Sequence, residues 1–141
     1  MFSKPESRNA HWNIGDNFLH FWFRFIYPNQ AFIEMGKLDL LKFYITNNYE
    51  QYSGVLLEKY FRQKFAEEET ITAIGNFWDS NGENEIDIIA LNDFDKTATV
   101  AEIKRNPKRI NLQTLTTKTA AIQKQLAKYE VSLKALSLDD M

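Results

Sequence analysis

The 141-residue chain has no cysteine, only two histidines, five glycines and three prolines. Without cysteine there can be no disulfide, no thiolate zinc site and no thiol nucleophile. His11 and His20 alone cannot build a mainly histidine zinc site or a longer histidine relay. Carboxylates and lysines must therefore carry any chemistry. Long hydrophobic runs are also missing, because the most apolar stretch, Phe18 to Pro28, is interrupted by His20 and Arg24 and falls short of a membrane span. Met1-Phe2-Ser3-Lys4-Pro5 lacks the apolar region and small-residue cleavage site of a secretory signal, so a cytoplasmic protein is the simplest expectation. Nor is there an excess of one charge: 17 Lys+Arg against 19 Asp+Glu leave a formal net charge of −2. A uniformly basic nucleic-acid binder is excluded, provided the charge is evenly spread.

Aromatic residues are plentiful, at 14% with 11 Phe, and promise a core of large side chains. After a polar lead-in, structure is expected from His11-Trp12-Asn13-Ile14. Asp16 is placed to cap a helix over about Asn17 to Tyr27 that Pro28 closes. That helix is apolar nearly all round and needs cover on more than one face. Leu40, Leu41, Phe43 and Tyr44, in a helical segment from Leu38 to Asn47, supply part of it. The rest falls either to another domain or chain, or to the sheet and later helices of this one. The chain thus reads as an N-terminal lead-in and aromatic-rich helical segment over 1–49, followed by a second block over 50–141.

The second block opens with a helix of about fifteen residues from Glu50, with Gly54, Glu58, Phe61 and Phe65 on one face, ending at Glu67-Glu68-Glu69. A short strand over Ile71 to Phe77, a Ser80-Asn81-Gly82 turn and a strong strand over Glu85 to Leu91 follow. Thr97 to Lys104 returns as the second arm of a hairpin, and Pro107 stops it. From Asn111 the period becomes helical, with Leu112, Leu115, Thr119, Ile122, Leu126 and Tyr129 on one stripe. Val131 to Leu138 can form a last strand.

A four-residue loop, Asp93 to Lys96, would set the hairpin register so that Asp87 lies opposite Glu102. Like charges so placed are destabilising, and Lys104, two residues on, shares their face. Ile86, Ile88 and Ala90 would occupy the other face, with Ile89 and Leu91 beside Asp87, so this strand is buried on both sides. Paired, partly buried carboxylates require a compensating charge. Lys104 can neutralise them as a structural ion-pair cluster. Alternatively, a divalent cation such as Mg²⁺ takes oxygen ligands from Asp87 and Glu102 while Lys104 steadies a water or a phosphate oxygen.

Asp87 followed by Glu102-Ile103-Lys104, with the acidic Glu58 on a preceding helix, resembles the PD-(D/E)xK nuclease-like core, although Ile86 stands where the motif's name has proline. The order of helix, three strands, helix and strand is similar as well. The resemblance implies an α/β, restriction-endonuclease-like fold, a mixed central sheet flanked by helices behind an N-terminal helical segment. It also implies Asp87 and Glu102 as metal ligands, Glu58 as the helix carboxylate completing the shell, Lys104 as the catalytic lysine, and Mg²⁺ or Mn²⁺ as cofactor. Gln125 and Tyr129 resemble the Gln-x-x-x-Tyr motif of RecB-like nucleases. Arg105, Lys118 and Gln125 are the expected substrate-binding residues. Glu58 also has Arg62 at i+4, the spacing of a surface helix pair.

The string Ile14-Gly15-Asp16-Asn17-Phe18-Leu19-His20-Phe21-Trp22-Phe23-Arg24-Phe25-Ile26-Tyr27-Pro28, taken with Glu85-Ile86-Asp87-Ile88-Ile89-Ala90 and Glu102-Ile103-Lys104, resembles the C-terminal domain of unknown function DUF234 of archaeal-type AAA ATPases. That resemblance implies an upstream ATPase and winged-helix segment as partners for the aromatic helix. No Gly-x-x-x-x-Gly-Lys-Ser/Thr loop is present, so no ATP site is expected in this chain. Three functions compete: Mg²⁺- or Mn²⁺-dependent cleavage of DNA, or of RNA; a nuclease-fold module without turnover that serves an ATPase; and an interaction domain whose aromatic helix is the working surface. The charge distribution bears on the first. Ten acidic residues lie between Glu67 and Glu102 against the single Lys96, whereas seven basic residues and no acidic one lie from Ile103 to Tyr129. The two segments meet at Glu102-Ile103-Lys104, an arrangement suited to a metal site bordered by a phosphate-attracting flank.

Overall fold

The structure, a computed structural model, describes residues 14–79 and 84–141. The polar lead-in, the His11-Trp12-Asn13 start and the Ser80-Asn81-Gly82 turn lie outside the described residues. Two compact units divide between Tyr52 and Ser53.

In the first unit Asp16 caps helix α1, Asn17–Phe21, by accepting from the Leu19 amide at 2.8 Å. The chain continues as a π-helical turn over Trp22–Ile26, a 3-10 turn over Tyr27–Asn29 and helix α2, Gln30–Glu34. Pro28 therefore does not close the helical run. It sits in the first turn of the 3-10 segment, where its missing N–H costs little. Phe25 is fully buried, with the rings of Phe21 and Tyr52 each 5.1 Å away and that of Tyr44 6.4 Å away. Leu41 is buried too, but Leu40, Phe43 and Tyr44 remain exposed, and so do Phe18, Phe23 and Tyr27.

Helix α3 spans Leu38–Glu67 without interruption, so the two helices expected on either side of Asn47 are one. No proline or glycine breaks the junction, and the Asn48 amide donates to the Tyr44 carbonyl one turn back at 2.8 Å. A residue that could have turned the chain instead bonds along the helix.

The second unit holds a four-stranded sheet in the order β1-β2-β3-β4, comprising Ala73–Trp78, Glu85–Asn92, Thr97–Ile103 and Glu130–Leu136. The first three strands run antiparallel and β4 is parallel to β3. A parallel neighbour demands a crossover, which helices α4, Leu112–Ala120, and α5, Gln123–Leu126, provide. Asn111 caps α4 by accepting from the Gln113 and Thr114 amides. The single helix expected through Tyr129 is thus two short ones, yet Leu115, Ile122 and Leu126 still reach the core. On one side of the sheet Leu57, Phe61 and Phe65 of α3 pack on Ile88, Ala90, Ala101 and Ile103. On the other, Leu115, Ile122 and Leu126 pack on Ile89, Leu91, Ala98 and Val100.

The hairpin register is the one set by a four-residue loop, from Asn92 opposite Thr97 to Ile88 opposite Ala101. One irregularity changes the faces. Between Gly75 opposite Ile89 and Phe77 opposite Ile86, β2 advances three residues while β1 advances two. This β-bulge moves Ile86 away from Ile88 and Ala90 and into the cluster of Ile89 and Leu91, correcting the simple alternation expected for the strand. Bulges of this kind re-aim side chains, and Asp87 lies within this one.

Candidate functional site

The β2–β3 ladder closes at Ile88 opposite Ala101, one step short of Asp87 and Glu102. Beyond it the Asp87 side chain takes over, its Oδ2 accepting from the Ile103 backbone N–H at 2.7 Å. The same oxygen lies 3.4 Å from Lys104 Nζ, and Lys104 Nζ lies 3.7 Å from Glu102 Oε1. The backbone of Lys104 is fixed in turn by donation to the Leu136 carbonyl of β4 at 3.1 Å. Asp87 and Glu102 are thus gathered around Lys104, though through the bulge rather than as a directly opposed pair.

The side chains of Asp87 and Glu102 are 7% and 8% exposed, whereas that of Lys104 is 39% exposed. Lysine is the group that meets solvent; the carboxylates lie beneath it. Glu102 Oε1 accepts a second ammonium, Lys118 Nζ, at 3.3 Å, while Oε2 is buried with no hydrogen-bond partner. An oxygen with open lone pairs in that setting is costly unless something else satisfies it.

From α3, Glu58 completes the electrostatic neighbourhood. Its carboxyl is pushed up to about 7, first by burial and then by the Asp87 carboxylate, with Glu85 adding to the rise and Lys104 and Arg62 opposing it. Arg62 does more than pair along the helix, for its guanidinium donates to the Asp87 carbonyl at 3.2 Å and ties α3 to the bulge. Sequence reasoning missed that role. The only available signal was an arginine one turn from Glu58 on the helix that covers the sheet.

Arg105 is half-buried next to Lys104. Lys118, expected at a phosphate, places its ammonium 3.3 Å from Glu102 Oε1. Gln125 is exposed on the single-turn α5 and is not among the residues gathered at Glu102. Tyr129 lies at the other end of the hairpin, where its hydroxyl donates to Asp93 Oδ1 at 2.5 Å. That bond, followed by one from Thr72, holds the Asp93 carboxyl below the usual carboxylate range. The Gln125–Tyr129 pattern is therefore divided between an exposed turn and the hairpin loop.

The donor set suits a hard cation. Mg²⁺ is commonly held by one or two carboxylates, with water and substrate phosphate filling the rest of its shell, and Glu102 Oε2 is a buried oxygen with no hydrogen-bond partner. Among the described residues no group of three or more acidic or histidine side chains closes into a ligand set. The Asp87 carboxylate bears on Glu58 through its charge. Among the same residues, no helix is long and apolar enough to cross a membrane.

Comparison with known proteins adds a family. The model of DUF234, described as archaea bacterial proteins of unknown function, matches residues 22–118, a span that encloses Glu58, Asp87, Glu102, Lys104 and Lys118. The uncharacterized protein MJECL04 of Methanocaldococcus jannaschii is 39% identical over 106 residues, which make up 70% of this chain and 23% of that protein. The chain thus spans about a quarter of that relative's length. No solved structure matches.

Proposed function

The chain belongs to the DUF234 family of proteins of unknown function, and we propose that its Ser53–Met141 unit is a PD-(D/E)xK nuclease-like domain that hydrolyses DNA phosphodiesters with Mg²⁺ or Mn²⁺. The observation that carries this reading is the convergence of Asp87 and Glu102 on Lys104 at the β2 bulge, with Glu102 Oε2 buried and open. The strand order supports it: a helix, three antiparallel strands, a helical crossover and a fourth strand parallel to the third. A divalent cation, when bound, would supply Lewis acidity at the phosphate. Asp87 and Glu102 would provide the hard oxygens to hold it. Lys104, the solvent-facing member, neutralises a phosphate oxygen or orients the attacking water. Glu58, with its carboxyl near 7, can take up or release a proton at neutral pH.

In this reading the chain works in the cytoplasm as the C-terminal portion of a longer protein with an ATPase and a winged-helix segment. The small share of MJECL04 that it covers, 23%, supports the greater length. A second reading, a nuclease-fold module without turnover, draws on charge balance, since Lys104 and Lys118 already neutralise the two carboxylates. Incubation with supercoiled, linear and branched DNA, and with RNA, in Mg²⁺ or Mn²⁺ separates the two. Metal-dependent cleavage that disappears in Asp87→Asn supports the nuclease. No cleavage of any substrate favours the module.

A further inference from the structure

Lys118 is the one feature of the centre that neither the metal-ligand pair nor Lys104 explains. It projects from the last turn of α4, three residues after the fully buried Leu115. Its side chain is 17% exposed, less than half the exposure of Lys104, and its ammonium ends 3.3 Å from Glu102 Oε1. A lysine sunk this far beside a buried carboxylate is poorly placed to collect phosphates from solvent. Two ammonium groups approach Oε1 and none satisfies Oε2. The asymmetry fixes which oxygen remains available.

Resting on the metal-site reading above, we propose that Lys118 is a positioning residue: it clamps Glu102 Oε1 so that Oε2 is presented to the divalent cation. Without the clamp, Glu102 retains only Lys104 at 3.7 Å. The carboxylate then swings toward that lysine, and the swing withdraws a ligand oxygen. Partners that orient a ligand from behind in this manner typically contribute about 10- to 100-fold to metal affinity.

The sign of the effect makes the proposal testable. By charge alone, deleting a nearby ammonium should strengthen cation binding; loss of a clamp should weaken it. Mn²⁺ binding to wild type, Lys118→Met, Lys118→Arg and Asp87→Asn, followed by isothermal titration or Mn²⁺ electron paramagnetic resonance without nucleic acid, reads this directly. The expected result is about tenfold weaker binding in Lys118→Met and recovery toward wild type in Lys118→Arg. Lys118→Gln, which keeps a donor for Oε1 without the charge, serves if Lys118→Met does not fold, and should bind within about threefold of wild type because orientation, not charge, is what the clamp supplies. Binding by Lys118→Met as tight as or tighter than wild type overturns the proposal, as does a tenfold loss in a folded Lys118→Gln. If Asp87→Asn weakens binding while Lys118→Met does not, the metal site stands and the clamp alone fails. Absence of Mn²⁺ binding in wild type removes both.

Discussion

Glu58 offers a prediction whose sign follows from its surroundings. In the folded protein its carboxyl titrates near 7 instead of 4.5, so the folded state binds the proton more tightly than the unfolded chain. Stability is then lost as pH rises through the interval between those values, because an ionised Glu58 stays half-buried beside Asp87. At 1.36 kcal/mol per pH decade, the interval is worth a ceiling of about 3 kcal/mol. Glu58 is only partly buried and solvent screens it, which reduces the effect to about 1–2 kcal/mol. Glu58→Gln removes the titration at nearly constant shape. Relative to wild type it should gain about 1 kcal/mol at pH 8, a rise of roughly 5 °C in Tm for a unit of this size, and nothing at pH 4.5. Paired thermal melts from pH 4.5 to 8 give the difference curve, and ¹³C titration of the Glu58 carboxyl gives the proton affinity itself. A gain that does not vary with pH, or a loss at pH 8, would refute the assigned burial and coupling.

Other perturbations have equally definite outcomes. Asp87→Ala leaves the Ile103 N–H without its acceptor and should lower the urea-unfolding free energy by about 1–3 kcal/mol, whereas Asp87→Asn keeps an acceptor and should lose less. Phe61→Ala, at a residue 4% exposed between α3 and the sheet, should cost about 3–5 kcal/mol by denaturant titration. Mn²⁺ at 100 times its dissociation constant should stabilise wild type by about 2.7 kcal/mol and Glu102→Gln far less, with EDTA reversing the gain. Asp16→Ala should weaken the start of α1 by about 1 kcal/mol and accelerate hydrogen exchange at the Leu19 amide.

Much of the second unit was legible in its sequence because the signals were local. Alternating and doubly buried apolar residues marked β2 and β3, and Asn92-Asp93-Phe94-Asp95-Lys96 fixed the loop and hence the register from Ile88 to Asn92. The bulge was not legible. Ile86-Asp87-Ile88-Ile89 is apolar on either assignment of faces, so no pattern of period two reveals where β2 carries its extra residue. That one residue decides how Asp87 reaches Lys104. The segment from Leu38 to Asn47 and the helix from Glu50 read as separate, but the Asn48 side chain bonds back to Tyr44 and the two form 30 unbroken helical residues. Pro28 misled for a related reason: it ends an α-helix interior yet is at home in the first turn of a 3-10 segment. Partners contributed by distant elements, Lys118 on Glu102 and Arg62 on the Asp87 carbonyl, depend on packing that sequence spacing does not encode. Lys118 did leave a trace, standing beside the apolar stripe of a helix while a buried glutamate required a counter-charge.

Asp87, Glu102 and Lys104 are proposed to form a metal-dependent phosphodiesterase centre. Its most direct measurement is the cleavage of supercoiled plasmid by purified protein in 10 mM Mg²⁺ or about 1 mM Mn²⁺, set against Asp87→Asn and against wild type in EDTA. Nicked or linear product is expected from wild type alone, and only with metal present. Cleavage that persists in folded Asp87→Asn, or in EDTA, would contradict it.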